Sequence, residues 1–331
     1  MKYHRMYIIL FIIVCVSCKP INTSIGIRKV YTSPKFDIVK NKMLPNIDLL
    51  LQEPAQEFRI HSNADTILYG TNGTTIYFHP LCLQTQIATP YNGMVHLELK
   101  ELFTKKALLK ERAYTISNGS MLESDGALYI NAKTETGDQL IITCDEGIQI
   151  QIPRDVKPNM IYFNGSRNSS GNMNWNVSDS IVTIAEDFDL DTDDTFFEEG
   201  GSERSPLQKY FFRTKKFGWI NCDRFYDDIR EKVDLLARFI LPTYEKKCTE
   251  IQNYIVFDSL MCVLPLQMDE SGQWICPLLP LGEIVTCISI QKSDQHLYYG
   301  IQKTRIGNSS LLIALKEVKE EELMRLLELN L

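Results

Sequence analysis

The feature that most restricts the fold is an alternation of apolar and polar residues with period two, repeated in short runs. Val95, Leu97 and Leu99 alternate with His96, Glu98 and Lys100, so an extended segment here has one apolar face and one polar face. Leu128, Ile130 and Ala132 repeat the pattern, as do Ile148, Ile150 and Ile152 before Pro153. Thr74 to Phe78 is β-branched and aromatic, and Pro80 bounds it. Met160 to Phe163 closes the series. Six or more such runs predict a β-sandwich and not alternating βαβ units. Thr104 is placed to cap a short helix running through Ala107 to Glu111. Ser117-Asn118-Gly119-Ser120 and Ser124-Asp125-Gly126 read as turns.

Residues 166–206 change character, being rich in Asn, Ser, Gly and acids, and they are expected to be a linker. A second β region is expected over 207–331. Within it, Asp227 to Ile240 fits either a helix or a strand, and the β character of the residues after Ile240 selects the strand. Val318, Leu323, Leu326 and Leu327 among charged residues predict a short amphipathic C-terminal helix. The expected fold class is therefore mainly β, with two β-sandwich-like domains in tandem, at 57–165 and 207–331.

The N-terminus has a different logic. Lys2 and Arg5 precede the apolar run Met6 to Val16, which is too short for a spanning helix of about 20 residues. Length and flanks identify a cleaved signal peptide, residues 1–17. The run ends Cys15-Val16-Ser17-Cys18, which resembles the bacterial lipobox, with Cys15 where that pattern usually has leucine. The resemblance implies lipidation of Cys18 and attachment to a membrane through the lipid. Residues 18–56 carry Pro20, Pro34, Pro45 and Pro54 and read as a tether, with a short helical piece near Ile47 to Gln52.

Chemistry is sparse. The formal net charge of -7 gives no basic footprint for nucleic acid. His61, His79, His96 and His296 come after the signal peptide, but no G-x-S-x-G elbow or glycine-rich phosphate loop accompanies them. The seven remaining cysteines are an odd number without C-x-x-C spacing, and they read as small buried hydrophobes. Asp187, Asp189, Asp191, Asp193 and Glu198 fall at positions 1, 3, 5, 7 and 12 of a calcium loop. Thr192 occupies the sixth position, where the sharp turn needs glycine, so the run reads as a solvated acidic linker and no metal or cofactor is expected. Trp175, among Asn and Ser, is the aromatic expected to be exposed for stacking on a sugar. Trp219 reads as core.

Gly73-Thr74-Thr75-Ile76, Gly93-Met94-Val95, Glu98 to Leu102, Gly126 to Ala132 and Gly218 to Phe225 resemble words shared by a family of exported Bacteroidota lipoproteins, words that carry no known chemistry. The first domain is also distantly similar to the β-sandwich of ankyrins and netrin receptors, and the second to transthyretin-like modules. Asp65-Thr66-Ile67, Asp179-Ser180-Ile181 and Asp258-Ser259-Leu260 resemble the O-glycosylation acceptor of exported Bacteroidota proteins, which marks Thr66, Ser180 and Ser259. These resemblances imply a non-catalytic lipoprotein of the bacterial cell envelope, anchored in the outer membrane. It would act as an interaction or structural module toward an envelope protein or a glycan. The alternatives are a glycan-binding accessory lipoprotein and a hydrolase whose motif escapes notice.

Overall fold

The computed structural model describes residues 45–331 except 88, 155, 170, 179–182, 186–208, 246 and 294–295. The signal peptide, Cys18, the acidic run Asp187 to Glu198 and Ser180 lie outside the described residues. The described chain is mainly β, with three short helices. No helix among the described residues is long and apolar enough to cross a membrane.

Two facing sheets form the first sandwich. One runs Gln56–His61, Met94–Leu102, Ser120–Thr134, Gly218–Phe225, Ile161–Arg167, Met173–Val177, with Ile116–Ser117 attached to its longest strand. The other runs Thr183–Ala185, Lys209–Thr214, Ile148–Ile152, Thr75–Phe78, Thr66–Tyr69. The alternation read from the sequence places Val95, Leu97, Leu99, Leu128 and Ile130 inward, against Ile76, Ile148, Ile150 and Phe212.

The second sandwich pairs the sheet Gln267–Met268, Trp274–Pro280, Lys232–Ile240, Leu311–Ala314 with the sheet Val263–Pro265, Glu250–Phe257, Ile284–Lys292, Leu297–Arg305, Lys316–Val318. Lys232–Ile240 is a strand, as the sequence suggested. At Leu315 the chain crosses from the first of these sheets to the second. A Cβ on Gly300 would lie 2.5 Å from the Leu315 side chain, so glycine is needed where the sheets close together.

Strand pairing corrects the expected domain boundary. Lys209–Thr214 pairs with Ile148–Ile152, and Gly218–Phe225 pairs with both Ser120–Thr134 and Ile161–Arg167. These strands belong to the first sandwich, one of them at the centre of its larger sheet. The described part of the expected linker also contains strands, Met173–Val177 and Thr183–Ala185. The division therefore falls between Phe225 and Lys232. The Asn and Ser residues mimic a linker here because Met173–Val177 is an edge strand whose Asn174 and Asn176 side faces solvent while Met173 and Trp175 are buried.

Two further expectations are corrected. Ser124-Asp125-Gly126 is no turn: it lies within Ser120–Thr134, where the ladder to Gly218–Phe225 shifts register between Asn221 and Asp223. Gly126 (φ 128°) serves that irregularity, and a Cβ on it would strike the Phe103 ring at 2.4 Å. Cys82 and Cys144 form a disulfide. The short strands Leu83–Thr85 and Leu140–Ile142 pair in register, which brings the two Cα atoms to 4.7 Å. The other five cysteines among the described residues are buried thiols, and burial pushes Cys262 and Cys287 up to about 12.

Candidate functional site: a charged cleft at the seam

The sandwiches meet along a continuous apolar seam. Three helices serve it: α1 (Pro45–Leu51), α2 (Lys105–Lys110) and α3 (Glu320–Asn330). Ile47 and Leu51 of α1, Leu108 and Leu109 of α2, and Leu323 and Leu327 of α3 are all buried in it. Thr104 caps α2 as the sequence predicted, its hydroxyl accepting from the Ala107 amide at 3.1 Å. The buried Glu250 accepts from the Ile47 amide at 2.7 Å, fixing the start of α1 to the second sandwich.

A cleft of about 720 Å³ opens beside this seam. One wall is α1 with the segment after it, from Asp48 to Ala55. The floor is the outer face of the larger sheet, with Glu98, Lys100, Tyr129 and Trp219. The remaining wall is the turn Lys110-Glu111-Arg112 together with Arg167 and Gly171.

That turn arises from the way α2 ends. The Ala113 amide donates to the Leu108 carbonyl at 2.8 Å and the Arg112 amide to the Leu109 carbonyl at 2.9 Å, the paired bonds of a Schellman motif. The left-handed position normally taken by glycine is occupied by Arg112 (φ 51°), at a cost of about 1–2 kcal/mol. Its guanidinium offsets this with bonds to Asp48 at 2.9 and 3.1 Å and to Asn172. Burial alone would lower Arg112, but Tyr114 and Asp48 hold it above its ordinary value. Asp48 also accepts from Gln252 at 2.8 Å, and Gln252 in turn accepts from the Tyr254 hydroxyl. One polar chain thus joins α1, the α2 turn and the second sandwich.

The other charges are matched just as closely. Lys100 meets Glu111 at 2.7 Å with both side chains buried, and Lys110 meets Glu53 at 2.8 Å. Arg167 donates to the Glu111 carbonyl at 2.6 Å and to the Gly171 carbonyl at 2.9 Å. Its guanidinium lies 4.8 Å from the centroid of the Trp219 ring. Glu98 accepts from Lys133 at 2.8 Å, which lowers its carboxyl. Tyr129 packs against Trp219 with ring centroids 5.0 Å apart. The cleft therefore carries four cations and four carboxylates, of which three pairs are in direct contact. Glu98 is held by Lys133 from outside the lining, and Arg167 lies 3.8 Å from the Glu111 carboxylate; two half-buried aromatic rings edge the array.

Sequence-predicted residues fare unevenly. Trp175 is fully buried, its indole donating to the Tyr114 carbonyl at 2.8 Å. Met173 and Trp175 alternate with exposed or half-exposed Asn174 and Asn176, a period-two signal that was present in the sequence. Trp219, read as core, lines the cleft instead. Thr66 is half-buried, with its hydroxyl bonded to the Ala64 carbonyl, whereas Ser259 is exposed and donates to Glu283. His79 faces Asp65 and His296 faces Glu317, and the Ser293 hydroxyl accepts from the backbone amide of His296 at 3.3 Å. No group of three or more metal-ligating side chains occurs among the described residues.

One strongly perturbed acid stands apart. Asp223, at the register shift, is wholly buried and accepts from Asn221 at 2.5 Å, and burial raises its carboxyl well above 3.8. The native carboxyl keeps its proton to higher pH than the unfolded chain does, so stability falls as pH rises above the ordinary value. Asp223→Asn is expected to remove that fall and to raise the melting temperature at pH 8 more than at pH 4.5. A variant whose melting temperature drops equally at both pH values would show that the native group is ionised.

Compared with known proteins, the chain matches no protein-family profile, no curated sequence and no solved structure.

Proposed function

We propose that this protein is a lipid-anchored, non-catalytic interaction module of the bacterial cell envelope, and that the seam cleft is its recognition site. The observation that carries the reading is the matched charge array. Each cation of the cleft already holds a carboxylate or a carbonyl, which fixes its side chain and favours a static recognition surface over a catalytic one. Among the described residues the strongly raised carboxyl, Asp223, is sealed inside the sheet and away from the cleft, which counts against a hydrolase. The charged leader and Cys18 support attachment through lipid, with the outer membrane as destination.

Two arms test the reading. Labelling cells with a fatty-acid probe should mark the full chain and fail on Cys18→Ala, which should leave the membrane pellet. An unlabelled parent protein would refute the anchor. A photo-cross-linker at Leu49, which is exposed on the cleft rim, should yield discrete adducts in envelope preparations that Trp219→Ala suppresses. Turnover of an envelope polymer, abolished by the same substitution, would replace the module with an enzyme.

A further inference from the structure

We infer that the seam cleft takes a neutral, hydroxyl-rich ligand, a saccharide chain seated on Tyr129 and Trp219; this deepens the proposed recognition role and rests on it. Three observations converge on that class.

The first is electrostatic. Lys100 and Lys110 are paired with Glu111 and Glu53, and Arg112 with Asp48, at 2.7–2.9 Å, while Arg167 is spent on two carbonyls and a ring. An ionic ligand finds no unpaired counter-charge here and would have to share one that is already held, which leaves little net attraction to offset its own desolvation. A neutral ligand carries no such desolvation cost.

The second is the supply of hydrogen-bonding groups. Carboxylate oxygens have more lone pairs than one cation uses, so Glu98, Glu53 and Asp48 keep acceptor capacity while ion-paired. The Tyr129 hydroxyl makes no hydrogen bond to the described residues and belongs to the cleft lining. Closely spaced acceptors with a free phenol suit adjacent hydroxyls, which both donate and accept.

The third is the aromatic edge. Tyr129 and Trp219 are direct cross-strand partners on the outer face of the sheet, their rings inclined at 45°. Gly165, opposite Trp219 on the next strand, has no room for a side chain: a Cβ would lie 2.5 Å from the Trp175 ring and 2.7 Å from the Trp219 Cβ. The indole itself is held by the Arg167 guanidinium over its ring and by the adjoining Tyr129 ring, and a rigid aromatic needs little ordering on binding. With Arg167 over one face of the indole, the C–H face of a pyranose would meet the ring face that the guanidinium leaves uncovered and the adjoining Tyr129 ring, since aromatic faces are negative and C–H groups are weakly positive.

The full chain should be titrated with cellohexaose, chitohexaose, xylohexaose, mannohexaose and maltohexaose, with tri-galacturonate and a Lys-Glu peptide as charged comparisons. Calorimetry and tryptophan fluorescence provide the readouts. At least one neutral oligosaccharide is expected to bind, with an affinity unchanged between 0.05 and 0.5 M salt. Trp219→Ala should weaken it tenfold or more and Tyr129→Phe about threefold. Trp219→Phe serves as the second variant if the alanine form melts early. Binding confined to the charged probes, salt-sensitive and lost in the Trp219 variants, would overturn the saccharide class while leaving the cleft as a recognition site. Binding indifferent to Trp219 and Tyr129 would overturn both. Absence of binding to every neutral oligosaccharide would overturn the inference itself.

Discussion

Asp48→Ala should lower the unfolding free energy by about 3 kcal/mol, because it leaves the Arg112 guanidinium buried without its carboxylate. That value sits at the low end of the range for breaking a buried pair, since Asp48 is itself partly exposed. Adding Arg112→Met should recover at least about 1 kcal/mol, because an apolar side chain of similar length removes the charge that lacked a partner. Urea unfolding checks both values, with the dependence on denaturant concentration unchanged so that midpoints can be compared. A double variant no more stable than Asp48→Ala would mean that the loss does not come from a guanidinium left without its carboxylate. Arg112→Gly adds a control, since glycine relaxes the left-handed position by about 1 kcal/mol while losing the same contacts.

Trp175→Ala should cost about 3–5 kcal/mol, the range for truncating a large buried aromatic. The indole fills the seam beneath Tyr114 and satisfies that residue's carbonyl. Trp175→Phe keeps most of the apolar area and loses the hydrogen bond, so its smaller cost, about 1–2 kcal/mol, measures an unsatisfied buried carbonyl. A loss below about 1 kcal/mol for the alanine variant would place Trp175 at the surface, where its polar neighbours in sequence suggested it belonged.

The contrast between these two sites shows what local pattern conveys. Strands are legible where one face is buried and the other wet, because alternation is a local property: Val95 to Lys100 and Ile148 to Ile152 fold as their sequences read. Thr104 and the α2 helix are legible for the same reason, since a cap acts within one turn. The cleft is not legible. Lys100 sits on the polar side of its strand, and nothing near it in sequence says that Glu111 and α1 will bury it. Arg112 gives no sign that it will occupy a position normally left to glycine. Each depends on a partner supplied from elsewhere: Arg112 and Asp48 are 64 residues apart, and Ile47 and Glu250 are 203 apart. The disulfide eluded the sequence for the same reason, because only the pairing of two three-residue strands brings Cys82 to Cys144. Trp175 is a different case. Its alternation with Asn174 and Asn176 is local and marks a strand with one buried face, which outweighs the polarity of the surrounding asparagines.

The attachment of α1 has a mechanical consequence. It is the first described element, and it grips the body through buried Ile47 and Leu51, the Glu250 contact and the Asp48 bonds, not through a strand. A load entering from the N-terminal side is therefore borne by the seam before it reaches any sheet ladder. Ladder hydrogen bonds share shear along a whole strand, whereas a seven-residue helix releases its few contacts one after another. Under tension applied at Pro45 the helix should peel away first, opening the wall of the cleft that it forms while both sandwiches stay intact.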